Sequence, residues 1–121
     1  MRYALLLHYP EVAEELSPEA MAEGMKAFDL YAKQLTEAGV LQSAEVLAPS
    51  PSSTTITAID GKLRIQDGPF ADTKEQLGGT FVIEVADLDA AIEWASKAPS
   101  VAWGAAELRP VGMHVVDGTW V

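Results

Sequence analysis

Cysteine is absent from the 121-residue chain, which removes disulfides, thiolate catalysis and cysteine-built zinc or iron–sulfur sites. That composition is compatible with a reducing cytoplasm, the compartment expected for this chain. Histidine is nearly as scarce. Only His8 and His114 occur, so imidazole acid–base chemistry near neutral pH must use one of them. Basic residues number eight against eighteen acidic ones, a formal net charge of −10. Such a charge repels phosphate backbones and anionic membrane surfaces, and argues against direct contact with nucleic acid or membrane. Long apolar runs are missing too. The N-terminal run around Ala4-Leu5-Leu6-Leu7 is shorter than the ~7–15 residues of a secretory segment and has no cleavage pattern, so it reads as a first strand. No glycine loop opens a helix to cradle a phosphate, because Gly78-Gly79 runs into a strand. Two scattered histidines among solvated carboxylates lack ligand spacing, so neither a metal nor a cofactor is expected.

What is present suits one globular domain over residues 1–121, with 49% hydrophobic and 21% charged residues and too little chain for two cores. Residues 2–9 form a short aromatic and aliphatic run bounded by Pro10 and read as a strand, with Tyr3, Leu5, Leu7 and Tyr9 on one face. Ser17 and Pro18 open a helix near 18–38 that carries Met21, Met25, Phe28, Ala32 and Leu35 at helical spacing and stops at Gly39. A second strand near 40–47 ends before Pro49-Ser50-Pro51. Residues 54–59 and 62–66 are β-rich and flank Asp60-Gly61, the chemistry of a tight hairpin. A strand over 80–85 follows, then Asp87 as the cap of a helix with Leu88, Ala91, Ile92, Ala95 and Ala98 on one face, closed by Pro99. A last strand near 103–111 precedes an extension, 112–121, in which Asp117-Gly118 turns a short ribbon.

Strand–helix–strand thus occurs twice, at 2–47 and 80–111, with a hairpin between the halves. This is the α+β, ferredoxin-like split βαβ order. Right-handed crossovers place both helices on one face of the antiparallel sheet. Several strands are apolar on both sides, so the other face needs a cover, and sheet-to-sheet pairing of two copies supplies one. A monomer covered by its own tail and hairpin is the alternative.

The segment richest in specific chemistry is Asp67-Gly68-Pro69-Phe70-Ala71-Asp72-Thr73-Lys74-Glu75-Gln76-Leu77-Gly78-Gly79. Asp67 suits an Asx turn, and Gly68 before Pro69 is restricted to extended or glycine-only backbone. Asp72 to Glu75 has the form of a capping box over a short helical turn ended by Gly78. The run resembles the signature of the DGPF branch of the YCII-related family. The likeness extends through Met1-Arg2-Tyr3, Ser17-Pro18-Glu19, Gly39-Val40-Leu41 and Glu107-Leu108-Arg109-Pro110-Val111. It departs at Asp72, where the family more often has glutamate, and in the tail after Val111.

The resemblance implies a small bacterial α+β protein similar to dimeric α+β barrels, most of whose relatives have no assigned chemistry. Two readings of the signature stand side by side. In one, its residues are turn and cap chemistry. In the other, Asp72, Lys74 and Glu75 sit at the mouth of a dimer cavity and orient a polar ligand, with Asp67 and Phe70 as further binding candidates. Within that cavity Glu84, Glu107, Arg109 and His8 are the candidates to bind a small polar or aromatic molecule, with His8 the candidate acid–base catalyst of a lyase- or isomerase-like reaction. An interface ion pair is the plainer alternative for Glu107 and Arg109, and a hydrogen-bonded structural role is the plainer one for His8. YCII proteins outside the DGPF branch resemble enzymes that use a His–Asp pair whose histidine lies on the first helix. No histidine lies between Pro18 and Ala38 here, so that pair is not carried over. The acidic residues Glu11, Glu14, Glu15, Glu19 and Glu23 read as solvated surface. The resemblance also brings a competing function, a regulatory module that docks an extracytoplasmic-function sigma factor through that acidic surface.

Overall fold

The computed structural model describes residues 1–11 and 17–121; of the acidic run, Glu14 and Glu15 lie outside the described residues. Strand β1 (Arg2–Pro10) is followed by helix α1 (Pro18–Glu37), β2 (Leu41–Val46), the hairpin β3 (Thr54–Ile59) and β4 (Lys62–Asp67), then β5 (Glu75–Glu84), α2 (Leu88–Ala95) and β6 (Ala105–Pro110). A terminal ribbon, β7 (Val115–Val116) and β8 (Thr119–Trp120), ends the chain. Four strands form one antiparallel sheet in the order β2-β5-β1-β6, with β1 central and flanked by β5 and β6. This is the ferredoxin-like order expected from the doubled strand–helix–strand pattern. The sheet is open, and the hairpin and the ribbon are separate two-stranded units.

Alternation along the strands decides the core. Tyr3, Leu5 and Leu7 of β1 and Phe81 and Ile83 of β5 are fully buried against Tyr31 and Leu35 of α1 and Ala91 and Ala95 of α2. Ser17 caps α1 by accepting from the Ala20 N–H at 3.1 Å, and Gly39 takes the left-handed φ of 73° that ends it. Asp87 caps α2 in the same way through the Ala90 N–H at 2.9 Å.

The helix faces differ from expectation in extent. Met21 and Met25 are exposed, and the buried contacts of α1 come from its C-terminal half, where Tyr31 joins Leu35. The apolar stripe has the right phase, but only half of the helix docks. Tyr31 was not among the predicted core positions; its ring is buried while its hydroxyl donates to the Trp94 carbonyl at 2.8 Å. In α2 the small residues Ala91 and Ala95 face the sheet while Leu88 and Ile92 stay exposed, and Ala98 is buried beyond the helix end.

Both predicted tight turns form. Asp60 and Gly61 have φ of 52° and 77°, and Asp117 and Gly118 have 49° and 79°, the paired positive values that match strand twist in a two-residue hairpin. Strand β5 begins at Glu75, five residues earlier than expected. Gly78 and Gly79 therefore lie inside a strand, not at its start. Their missing side chains make room for neighbours. The Tyr9 ring covers Gly78 and its hydroxyl donates to the Gly78 carbonyl at 3.0 Å, while Gly79 faces the β2 backbone.

Candidate functional site

Strand alternation leaves one face of the sheet without a helix. Ala4 and Leu6 of β1 and Thr80 and Val82 of β5 form its half-buried floor, with Glu45 beside Thr80 on β2. On β6, Glu107 and Arg109 are two residues apart and so share this face, and Glu107 is registered opposite Leu6. His8, two residues along β1 from Leu6, points the same way.

These positions converge on one carboxylate. Glu107 Oε1 lies 3.1 Å from His8 Nε2, and Glu107 Oε2 accepts from Arg109 Nη2 at 2.6 Å. The guanidinium first and the imidazole second hold the Glu107 carboxyl below the usual carboxylate range. An ionised carboxylate can only accept, so Nε2 of His8 carries its hydrogen toward Glu107. In neutral His8 the lone pair is then on Nδ1. The His8 side chain is 29% exposed and that of Glu107 42%, so the cluster is reachable from the open face. Its chemistry is that of an imidazole set in tautomer and orientation by a carboxylate, with a cation securing the carboxylate.

Glu84 belongs to the other end of the sheet. It pairs in register with Arg2, six residues along β1 from His8 or about 20 Å at strand rise, and its carboxylate accepts from the N-terminal ammonium at 3.2 Å. It shares the face with the His8 cluster but not the site.

The signature residues occupy a second location. Asp67 ends β4 as a ladder residue opposite Thr54. Gly68, with φ of 101°, fastens the base of the hairpin: its N–H donates to the Ser53 carbonyl at 2.8 Å and its carbonyl accepts from the Thr55 hydroxyl at 2.7 Å. The capping box does not form, because Glu75 starts a strand. Instead Thr73 Oγ1 donates to the Glu75 carbonyl at 2.6 Å, and Gln76 Nε2 donates to the carbonyls of Ala71 and Thr73 at 3.1 and 3.2 Å. Asp72, Lys74 and Glu75 are exposed and make no ion pair among the described residues. Phe70, 84% exposed, lines an open cavity of about 410 Å³ with Leu47, Ser50, Thr55, Pro69 and Leu77. The pairings Pro10 with Glu75 and His8 with Leu77 put this loop at the same end of the sheet as His8.

Two contributors escaped the sequence reading. Glu11, read as solvated surface, accepts from the Ser50 N–H at 2.9 Å and from its hydroxyl at 2.9 Å, tying the end of β1 to the turn before the hairpin. Tyr9, Phe28 and Trp103 form an aromatic cluster at the same end of β1, on its helix-covered side, with ring centroids 6.1 to 6.3 Å apart. Only proximity in sequence to His8 could have drawn attention to Tyr9, and nothing local links it to Trp103. Among the described residues no group of three or more histidine or acidic side chains is placed to hold a metal ion. No described helix is long and apolar enough to cross a membrane.

Order of strands, one covered face and a charged cluster on the other define a small antiparallel α+β domain with an open sheet face. The family model of the YCII-related domain matches residues 1–113, and the chain belongs to that family. An uncharacterized protein of Rhizobium meliloti (strain 1021) is 32% identical over 117 residues, with 94% of each chain covered. The matched span stops where the terminal ribbon begins.

Proposed function

We propose that this YCII-related chain acts as a homodimer that binds a small polar or aromatic molecule over its open sheet face, and that His8 exchanges a proton with that molecule in a lyase- or isomerase-like reaction. The observation that carries this reading is the His8–Glu107–Arg109 cluster. Glu107 presents Nδ1 as the free base and stabilises the imidazolium that forms when it takes a proton. Arg109, exposed beside the carboxylate, supplies a planar donor for an acidic ligand group. The floor of Ala4, Leu6 and Val82 suits an apolar or aromatic body. A second copy set face-on would exclude water from the cluster and strengthen these interactions. Asp72, Lys74 and Glu75, at the same end of the sheet, would form a polar rim.

The test is a ligand-observed NMR screen of small aromatic acids, hydroxy acids and keto acids against the wild type, His8→Ala and Arg109→Ala. Binding lost in both variants is expected; hits whose affinity is unchanged in both would remove the site from this face. A second experiment reads the tautomer. With only two histidines, long-range ¹H–¹⁵N spectra should show neutral His8 protonated on Nε2, and protonation on Nδ1 would defeat the proposed base. The competing reading, docking of a sigma factor through acidic surface, draws on the exposed acids of α1. Two of these are paired with lysines, Glu23 with Lys26 and Asp29 with Lys33, which weakens it. A partner captured in a salt-sensitive manner would restore it.

A further inference from the structure

The hairpin β3–β4 is amphipathic, and among the described residues its apolar side stays exposed. Pairing Ile56 with Ile65 and Ala58 with Leu63 puts four apolar side chains on one side, while Thr55, Thr57, Lys62 and Arg64 alternate onto the other. Ile56, Leu63 and Ile65 are 62%, 74% and 69% exposed. An isolated two-stranded hairpin is marginal in water, and the hydrogen bonds of Gly68 to Ser53 and Thr55 only close its own base. The open sheet face is the second unpartnered apolar surface. Total exposure agrees. A folded monomer of 12.9 kDa should expose about 6,300 Å², whereas this chain exposes 8483 Å². The surplus of roughly 2,200 Å² per chain is what one partner buries in a large, obligate interface.

Resting on the homodimer reading above, we infer that the hairpin is an arm that closes over the open sheet face of a second copy, so that each protomer's His8 cluster is roofed by the partner's arm. One chain carries both complements, an apolar arm and an apolar face, and a twofold axis satisfies both contacts in one association. The site would be incomplete in a single chain, because its roof comes from the partner.

The absence of cysteine makes the test direct. Chains carrying Leu63→Cys on the arm and Leu6→Cys on the face are refolded together and treated with a short bis-maleimide; Thr80→Cys replaces Leu6→Cys should that variant fold poorly. The expected product is a mixed arm-to-face dimer, and the double variant should give a covalent dimer, not an internally bridged monomer. A dimer by native mass spectrometry without the mixed product would overturn the arm and leave the dimer standing. An internal bridge would show the arm closing on its own sheet and overturn it too. A monomeric wild type would overturn both readings. Leu63→Glu with Ile65→Glu should shift the dimer to monomer, and an unchanged dimer would count against the arm.

Discussion

Gly104→Ala probes the support of the candidate base. Gly104 lies at the entry to β6, where a Cβ would meet the His8 carbonyl and lie 2.9 Å from Tyr9 Cα. Both obstacles are backbone in the central strand, and neither can rotate away. Relief must come from moving the end of β1 or the turn over Pro99–Ala102, whose Ser100 carbonyl accepts from the Gly104 N–H at 2.7 Å. Overpacking of this kind costs about 1–3 kcal/mol. With an unfolding entropy near 2.1 cal/mol/K per residue, each kcal/mol moves Tm by about 4 °C in a chain of this length, so a fall of roughly 4–12 °C is expected. Gly24→Ala is the control. It lies within α1 with nothing inside 4 Å of its added Cβ, and exchanging glycine for alanine in a helix should raise stability by about 0.4–1 kcal/mol, or roughly 2–4 °C. Calorimetry at one fixed protomer concentration reads both. Because His8 rides on the displaced strand, the His8 imidazole resonances should also shift in Gly104→Ala and stay put in Gly24→Ala. A Gly104→Ala protein with wild-type Tm and unmoved His8 signals would refute the close approach.

Tyr31→Phe removes the 2.8 Å hydrogen bond to the Trp94 carbonyl, which keeps the Lys97 N–H at 3.1 Å, and should cost about 0.5–1.5 kcal/mol in urea unfolding; a loss well above that range would show that the carbonyl depends on the hydroxyl. Leu35→Ala, at a fully buried position, should cost about 2–5 kcal/mol, whereas Met25→Ala on the exposed half of the same helix should stay within about 0.5 kcal/mol; similar losses would show that the whole helix docks. The folded Glu107 carboxyl titrates below its unfolded value because Arg109 and His8 bind its charged form. Its contribution is therefore present above about pH 4.3 and lost as pH falls through the lower folded value. Tm of the wild type should exceed that of Glu107→Gln at neutral pH and converge with it in acid. A gap that is constant with pH would show that the pairing has no linkage to the carboxyl.

Local signals carried most of the fold. Ser17, Asp87 and Gly39 act within one turn of their own position, and Asp60-Gly61 and Asp117-Gly118 set their turns by backbone preference alone. Alternation in β1 announced which of its side chains meet the helices and which, including His8, do not. Errors arose where partners are distant. Glu75 to Gly79 reads as turn and cap chemistry, yet pairing with β1 and the Tyr9 ring over Gly78 draw it into a strand. The candidate site was legible only as residue types. Period two put Glu107 and Arg109 on one face, but strand order alone brings His8 to Glu107 and sends Glu84 to the opposite end.

By itself the sequence determined the elements, the caps that start both helices, the tight turns and the inner and outer faces of the strands, because capping, turn conformation and side-chain alternation depend on neighbours a few residues away. The tertiary structure decided which carboxylate meets the histidine, how much of α1 is buried and that an apolar hairpin stands clear of its own core. Those outcomes depend on register and on contacts between residues up to about a hundred positions apart, such as His8 and Glu107, and no local preference encodes such pairings.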